Sequence, residues 1–302
     1  NKIRNEAPKV PHATMIRWLI ASFAVSKPLH TFEPRNTRLS FHKAARLTTI
    51  PTTTSTMSND RSSTALGANL MVSQTDQLGT DVRLILASQS PRRREILDMM
   101  GLAGKFDATP SPLDESELQQ TLRRRETPVT PVEYTQLLAE EKAKALVETL
   151  TLQANDSPVL VLGSDTIVDL DGTILEKPVD VDDAIATLSK LSGQQHSVHT
   201  GVALYAVTAP DSNADSEASH CYKACSFVDT ATVTFAELSP QDIQAYVASG
   251  EPMDKAGSYG IQGIGGQLVR RVEGDFFTVM GLPMHRVSRA LAEAVKAFTQ
   301  KE

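Results

Sequence analysis

The turn Ser88-Gln-Ser-Pro-Arg-Arg-Arg94 joins a short apolar run, Arg83-Leu-Ile-Leu-Ala87, to a helical pattern that lasts to Met100 before Gly101. Ser90 and Pro91 read as a helix N-cap followed by proline at the first helical position. The first-turn amides of such a helix lack partners, its dipole places partial positive charge there, and guanidiniums at Arg92 and Arg93 add forked donors. Arginines at a helix start work against the dipole unless an anion joins them. The turn therefore predicts a phosphate grip, the alternative being a solvated basic turn.

Three further places hold reactive residue types. Leu138, Lys142 and Leu146 are spaced by four, so the Lys142 stem lies on an apolar helix stripe, where a snorkelling lysine is the simpler reading. Gly163-Ser-Asp-Thr166 puts the Asp165 carboxylate where a strand pair is interrupted. Beyond the tight-turn signal Asp171-Gly172 comes Glu176-Lys-Pro178, and a hairpin would return Lys177 toward Asp165, setting an acid and a base on one wall. Taken alone, such a pair is as well explained by a surface ion contact.

The elements that must position these groups are legible by period and punctuation. A buried strand is expected at 83–87 and a helix from Ser90 to Met100. Thr130-Pro-Val-Glu133 is a capping box opening a helix through about Leu150. A strand over 159–162, a hairpin over 167–174, a helix after Asp180, a long strand 196–207 and a partner strand 222–235 follow. Ala209 to Ser219 reads as a hairpin tip, Ser239-Pro240 as a helix start, Lys255 to Gly266 as a Gly-rich loop and Glu273-Gly274 as a hairpin. The last helix starts near Pro283, with Val287, Leu291 and Val295 at core spacing. The fold class is α/β with a mixed sheet.

Charge is unevenly divided. Residues 1–58 hold nine Lys and Arg against two acids, leaving 21 basic and 34 acidic residues in the remainder. A body that acidic excludes a polymer-tracking nucleic-acid surface, so a phosphate ligand must meet a few basic residues concentrated in a cleft. No apolar run approaches the roughly 20 residues of a membrane span, so no membrane association and a cytoplasmic protein are expected. Residues 1–80 are rich in Ser, Thr and Pro and are expected to be a disordered extension before an 81–302 domain. From Met15 they are Arg-bearing and acid-poor, so a transit peptide for a mitochondrion or another organelle is the alternative, beside a variable tail or a start at Met15 or Met57. Cys221 and Cys225, four apart on a predicted strand, are expected as free thiols on one face.

Taken together, the strings LILASQSPRRREIL, LAEEKAKAL, VLGSDTIVDLDGTILEKP, LSGQQHSVHTGVAL, EPMDKAGSYGIQGIGG and VMGLP closely resemble the Maf family of nucleotide pyrophosphatases, in order from Arg83 to about Ala297. The resemblance implies an elongated α/β fold with a twisted mixed sheet and central cleft, similar to inosine triphosphate pyrophosphatases. It also implies cleavage of a nucleoside triphosphate to monophosphate and pyrophosphate with a divalent cation, Mg²⁺ or Mn²⁺. Asp165 is then the implied proton acceptor, with Ser88, Arg92, Arg93, Glu115, Lys142 and Lys177 around the phosphates. Glu115 is the implied metal contact, with Asp114 and Glu117 as substitutes and the metal ligands otherwise unknown. Arg92, Thr166 and Gln262 match the subgroup acting on dTTP and UTP, whereas members acting on 7-methyl-GTP usually carry tryptophan, glutamine and glutamate there. The Gln262 amide can donate to and accept from a uracil or thymine edge. Members often pair, so a homodimer is expected. Another base preference, or a nucleotide-binding regulator of cell division without turnover, are the competing readings.

Overall fold

The computed structural model describes residues 70–125, 127–153, 155–210 and 219–299. Most of the proposed extension, residues 1–69, and most of the predicted hairpin tip lie outside the described residues. Ordered structure starts earlier than Arg83. Met71 and Leu78 are fully buried in the main core, and the Met71 amide donates to the Ser288 hydroxyl at 2.9 Å. Residues 70–80, assigned from composition to the extension, thus belong to the folded body, held by a few apolar anchors too sparse to show a period.

Among the described residues, seven strands form one curled, mixed sheet. They are β1 (Arg83–Leu86), β2 (Asp107–Ala108), β3 (Val159–Leu170), β4 (Thr173–Leu175), β5 (Gln195–Thr208), β6 (His220–Phe235) and β7 (Val269–Glu273). Their order is β2-β1-β3-β5-β6-β7, with β4 also on β3. The helices are α1 (Pro91–Leu97), α2 (Glu115–Arg123), α3 (Pro131–Val147), α4 (Val181–Leu191), α5 (Pro240–Ala248), α6 (Phe276–Met280) and α7 (Met284–Thr299). β1 and β2 are parallel neighbours, β1 runs parallel to β3, and the remaining pairs are antiparallel.

Two features of the sheet make room for a ligand. β5 pairs with β3 continuously from Val159 to Asp169, whereas the opposite edge of β3 pairs with β1 only through Leu162 and with β4 only from Val168. Among the described residues, 163–167 therefore have no strand on that side, and the sheet is split beside Asp165 and Thr166. The Asp171-Gly172 turn that returns β4 has both residues at positive φ, 51° and 83°, as a two-residue hairpin of this hand requires.

Helices cover both faces. α3 lies on one face, packing Ala139 and Ala143 against Ile85, Val161 and Ala203. α1 and α7 cover the other, where Val287, Leu291 and Val295 are completely buried as their spacing predicts. Past the split, α4 and α5 close a second core around Val168, Leu188, Val233 and Phe235. The capping box of α3 forms as expected, Thr130 and Glu133 each accepting from the other's amide.

Two sequence expectations are corrected. Glu273-Gly274 is not a hairpin: Gly274, at φ 112°, ends β7, and Asp275 caps the Phe277 amide to start α6. Nor do the thiols share a face. The β5–β6 register shifts between Leu204 and Tyr205, leaving Ala224 as the extra residue, so Cys225 pairs with Leu204 and Cys221 with Val207, whose side chains enter cores on opposite sides. A bulge reverses the alternation that spacing by four assumes. Both cysteines are free.

His196 is a buried polar residue in the second core. It shares a 2.9 Å hydrogen bond with the Tyr259 hydroxyl, and its Nδ1 has no partner among the described residues. Burial pulls its imidazole down to about 4. The unfolded chain, titrating near 6.5, then binds more protons between these values, so stability must fall as pH falls through this window. We predict a loss of about 2 kcal/mol from this group between pH 7 and 5. Urea unfolding at the two pH values checks it: His196→Leu should show a shallower pH slope than the parent, whatever its stability at pH 7.

Candidate active site

The cleft at the split is about 310 Å³ and is lined from four directions. α1 contributes Arg92 and Arg93, α3 contributes Tyr134 and Lys142, β3 contributes Asp165 and Thr166, and the Gly-rich loop contributes Lys255, Tyr259 and Gln262. Glu115 from the start of α2 and Lys177 beyond β4 complete the wall.

At its centre the Lys142 ammonium bridges two carboxylates, donating to Asp165 at 2.6 Å and meeting Glu115 at 2.7 Å. Lys142 and Asp165 are both buried. This geometry requires α3 to press on the sheet. A Cβ at Gly163 would collide with the Ala139 carbonyl and the Ala143 side chain, and one at Gly201 with the Thr135 carbonyl. Lys142 is thus no snorkelling residue. It lies between acids, as the simpler reading of its stripe did not provide. Asp165 takes its ion pair from Lys142 rather than from Lys177, which reaches the same cleft as an exposed cation with no ion pair among the described residues.

Arg93 is fixed by three oxygens: Ser88 Oγ at 3.0 Å, Gly281 O at 2.9 Å and Thr166 Oγ1 at 3.2 Å. Burial lowers its guanidinium from the ordinary value, the Asp165 charge opposes this, and the neighbouring Arg92 adds to it. An anion in the cleft would relieve that cost. Ser88 lies behind the wall, buried, with its hydroxyl also accepting from the Ser90 amide, so it shapes the turn and aims Arg93. Thr166 is tied in turn to Thr200 at 2.9 Å, and Thr200 to the Thr278 carbonyl at 2.8 Å.

Arg92 points the other way and pairs with Asp254 at 2.9 Å. Gln262 is exposed at the cleft rim on a loop whose shape is set by Glu251. That carboxylate accepts from the amides of Ile264 at 2.8 Å and Gly265 at 3.0 Å and from the Tyr246 hydroxyl at 2.9 Å. Burial acts to raise the Glu251 carboxyl, but the two amides, the Tyr246 hydroxyl and the Lys255 charge together outweigh it and hold the group below the usual range. Side chains at Gly263 or Gly265 would strike Glu251 or Tyr246, which explains the glycine density of the loop.

Several participants were not legible beforehand. α2 was missed because its nine residues offer only Leu118 and Leu122 as apolar positions, although Asp114 followed by Glu117 is a cap signal. Asp114 spends its carboxylate on the Glu117 amide, and neither of these acids lines the cleft, so Glu115 alone of the three faces it. Lys255 lies within the string EPMDKAGSYGIQGIGG, where residue type and spacing alone point to no role. Tyr134 lies two steps of four back from Lys142 on the same stripe and donates to Glu176 at 2.6 Å, with Arg123 meeting the same oxygen at 2.8 Å. Burial and that carboxylate raise the Tyr134 phenol, so it remains a donor.

Among the described residues no group of three His, Cys, Asp or Glu side chains is placed to hold an ion. Of the three carboxylates that line the cleft, Glu115 and Asp165 are brought together by Lys142, which meets one oxygen of each, while Glu176 meets Tyr134 and Arg123. Mg²⁺ is commonly held by one or two carboxylates with phosphate oxygens and water. The donor set therefore fits a cation that arrives with a polyphosphate.

Over residues 83–294 the chain matches the family described as Maf-like protein. It is 46% identical over 213 residues to a dTTP/UTP pyrophosphatase of Shewanella oneidensis, covering 70% of this chain and 98% of that one. A dTTP/UTP pyrophosphatase of Bacillus velezensis is 41% identical over 211 residues, 70% of this chain and 96% of its own. A human protein named as a probable bifunctional dTTP/UTP pyrophosphatase/methyltransferase is 42% identical over 211 residues, which are 70% of this chain and 32% of the human one.

Removing one partner of a buried pair leaves an uncompensated charge. Lys142→Met should therefore lower unfolding stability by about 3 kcal/mol, and the double variant Lys142→Met/Asp165→Leu by distinctly less, as measured by urea denaturation. Equal losses in the two would mean that the pair is solvated.

Proposed function

Since this chain belongs to the Maf-like family, we propose that it hydrolyses dTTP and UTP to the monophosphate and pyrophosphate. The observation that carries this reading is the charge of the cleft. Five cations, Arg92, Arg93, Lys142, Lys177 and Lys255, line it against three carboxylates, in a chain whose residues beyond 58 carry 34 acids against 21 bases. Positive charge gathered in one low-dielectric place within an acidic body suits a compact polyanion. The names of the bacterial relatives support the pyrimidine preference, as do Arg92, Thr166 and Gln262 around one cleft.

In this mechanism the triphosphate lies along the cations, with its base toward Gln262. Asp165 keeps one oxygen on Lys142 and uses the other to orient a water and take its proton. The water oxygen forms a bond to the α-phosphorus as the bond from that phosphorus to the α–β bridging oxygen breaks. The electron pair leaves with pyrophosphate, whose growing charge is offset by Arg92, Arg93, Lys142 and Lys177. Positioning and charge compensation of this kind supply most of the catalysis in phosphoryl transfer. A Mg²⁺ or Mn²⁺ ion bound with the substrate would add charge compensation, held by Glu115, Asp165 and phosphate oxygens. Ser88 and Thr166 act through Arg93.

The working form is proposed to be a homodimer in the cytoplasm, with an organelle as the alternative if residues 1–80 direct the chain there. Binding without turnover is the second reading, and the Lys142–Asp165 geometry disfavours it, because a pure binder gains nothing from an acid set opposite the phosphate cations. With Mg²⁺ or Mn²⁺ present, the protein should release pyrophosphate from dTTP and UTP faster than from 7-methyl-GTP, GTP or inosine triphosphate. Asp165→Asn should reduce kcat by about 10³-fold or more while leaving nucleotide affinity within a few fold. Unchanged turnover in Asp165→Asn would remove that residue from its role, and dTTP affinity without any pyrophosphate would favour the regulator.

A further inference from the structure

Asp254 is absent from every role assigned so far, yet it joins two walls of the cleft. One of its oxygens accepts from Arg92 Nη1 at 2.9 Å, and the other accepts from Lys255 Nζ at 2.6 Å. Its backbone carbonyl lies 3.5 Å from Arg92 Nη2. Arg92 belongs to α1, 162 residues away in sequence, whereas Lys255 belongs to the segment that becomes the Gly-rich loop.

Lys255 is itself fixed. Its ammonium also donates to the Glu251 carbonyl at 2.6 Å, and its stem fills the space over Gly260, where a Cβ would meet Lys255 Cε at 2.5 Å. Glu251 in turn holds the amides of Ile264 and Gly265, immediately after the turn that presents Gln262. A chain of direct contacts thus runs from Arg92 through Asp254, Lys255 and Glu251 to the Gln262 loop. The Arg92 and Lys255 side chains are 19% and 12% exposed, and the Asp254 carboxylate between them, at 59%, is the part of the link that water reaches. Within this chain of contacts, the Asp254 side chain is the link that touches both Arg92 and Lys255.

We propose that Asp254 is a specificity-positioning residue: by dividing its carboxylate between Arg92 and Lys255 it sets the distance between the phosphate-side guanidinium and the base-reading Gln262 loop. This rests on the reading of the cleft as a pyrimidine nucleoside triphosphate site. A carboxylate with two cations is required at this point. An asparagine of the same shape offers one accepting oxygen, and its amide NH₂ would face the other cation as donor against donor. Without the bridge, Arg92 is free to follow the phosphates of any nucleotide. The base then no longer has to match Gln262 for the triphosphate to be gripped. The first loss is therefore in discrimination and in KM for the matched substrate, with kcat less affected because Asp165 and Lys142 are untouched.

The test is a double-mutant cycle on the full chain with Arg92→Ala, Asp254→Asn and the combined variant, assayed for kcat and KM with UTP and GTP. Asp254→Asn should lower the ratio of kcat/KM for UTP over GTP by about tenfold, chiefly through KM for UTP. In the Arg92→Ala background the same substitution should change that ratio less than about twofold. Asp254→Glu, which keeps the charge but is one methylene longer, should recover part of the ratio. A ratio that stays at the parent's value in Asp254→Asn, or an equal loss with and without Arg92, would overturn the proposal. A parent protein that hydrolyses neither nucleotide would instead overturn the pyrophosphatase reading.

Discussion

The contact between the Lys142 ammonium and the Asp165 carboxylate is the point on which the remaining geometry turns. An ammonium and a carboxylate buried together are costly unless they meet closely, and they meet because α3 lies on bare backbone. Gly163 in β3 and Gly201 in β5 remove the side chains that would otherwise hold the helix away, and Ala139 and Ala143 present small surfaces to them. The helix that carries Lys142 is seated by its capping box at one end and by Leu146 and Val147 in the core at the other. Chemistry and packing therefore share one requirement, the closeness of α3 to the sheet.

Outward from that pair, the cleft is organised by carboxylates and carbonyls that hold cations in advance. Asp165 and Glu115 hold Lys142, Asp254 holds Arg92 and Lys255, and Ser88, Thr166 and Gly281 hold Arg93. Each long basic side chain loses its rotamer freedom during folding instead of during ligand capture, which is the preorganisation that electrostatic catalysis relies on. Lys177 differs, exposed and without an ion pair among the described residues, and so supplies charge that is still free to move.

Much of this was legible in the residues, for reasons that differ by location. The helix start at Ser90-Pro91, the capping box at Thr130 and the Asp171-Gly172 turn are local signals, and local physics decides them. The candidate site residues were legible as a set through motif resemblance, and the structure brings all of them except Ser88 to the wall of one cleft. What spacing could not supply was tertiary. The partner of Asp165 depends on how closely α3 approaches, and that of Arg92 on a loop 162 residues distant. The bulge at Ala224 reverses the face of Cys221 with no mark in the sequence, and residues 70–82 join the core through anchors as isolated as Met71 and Leu78. α2 carries a cap but too little apolar surface to announce itself.

The split edge of β3 has a consequence beyond ligand access. Unpaired strand edges invite a strand from another chain, and proteins commonly blunt them with charge or cover. Here the interruption at residues 163–167 is bounded by β1 on one side and β4 on the other, and Asp165 and Arg93 stand beside it. An incoming strand would meet the ends of two existing ladders before it could form a ladder of its own. The break leaves only the five residues 163–167 of β3 without a neighbour on that edge, too short a stretch to serve readily as a template for aggregation.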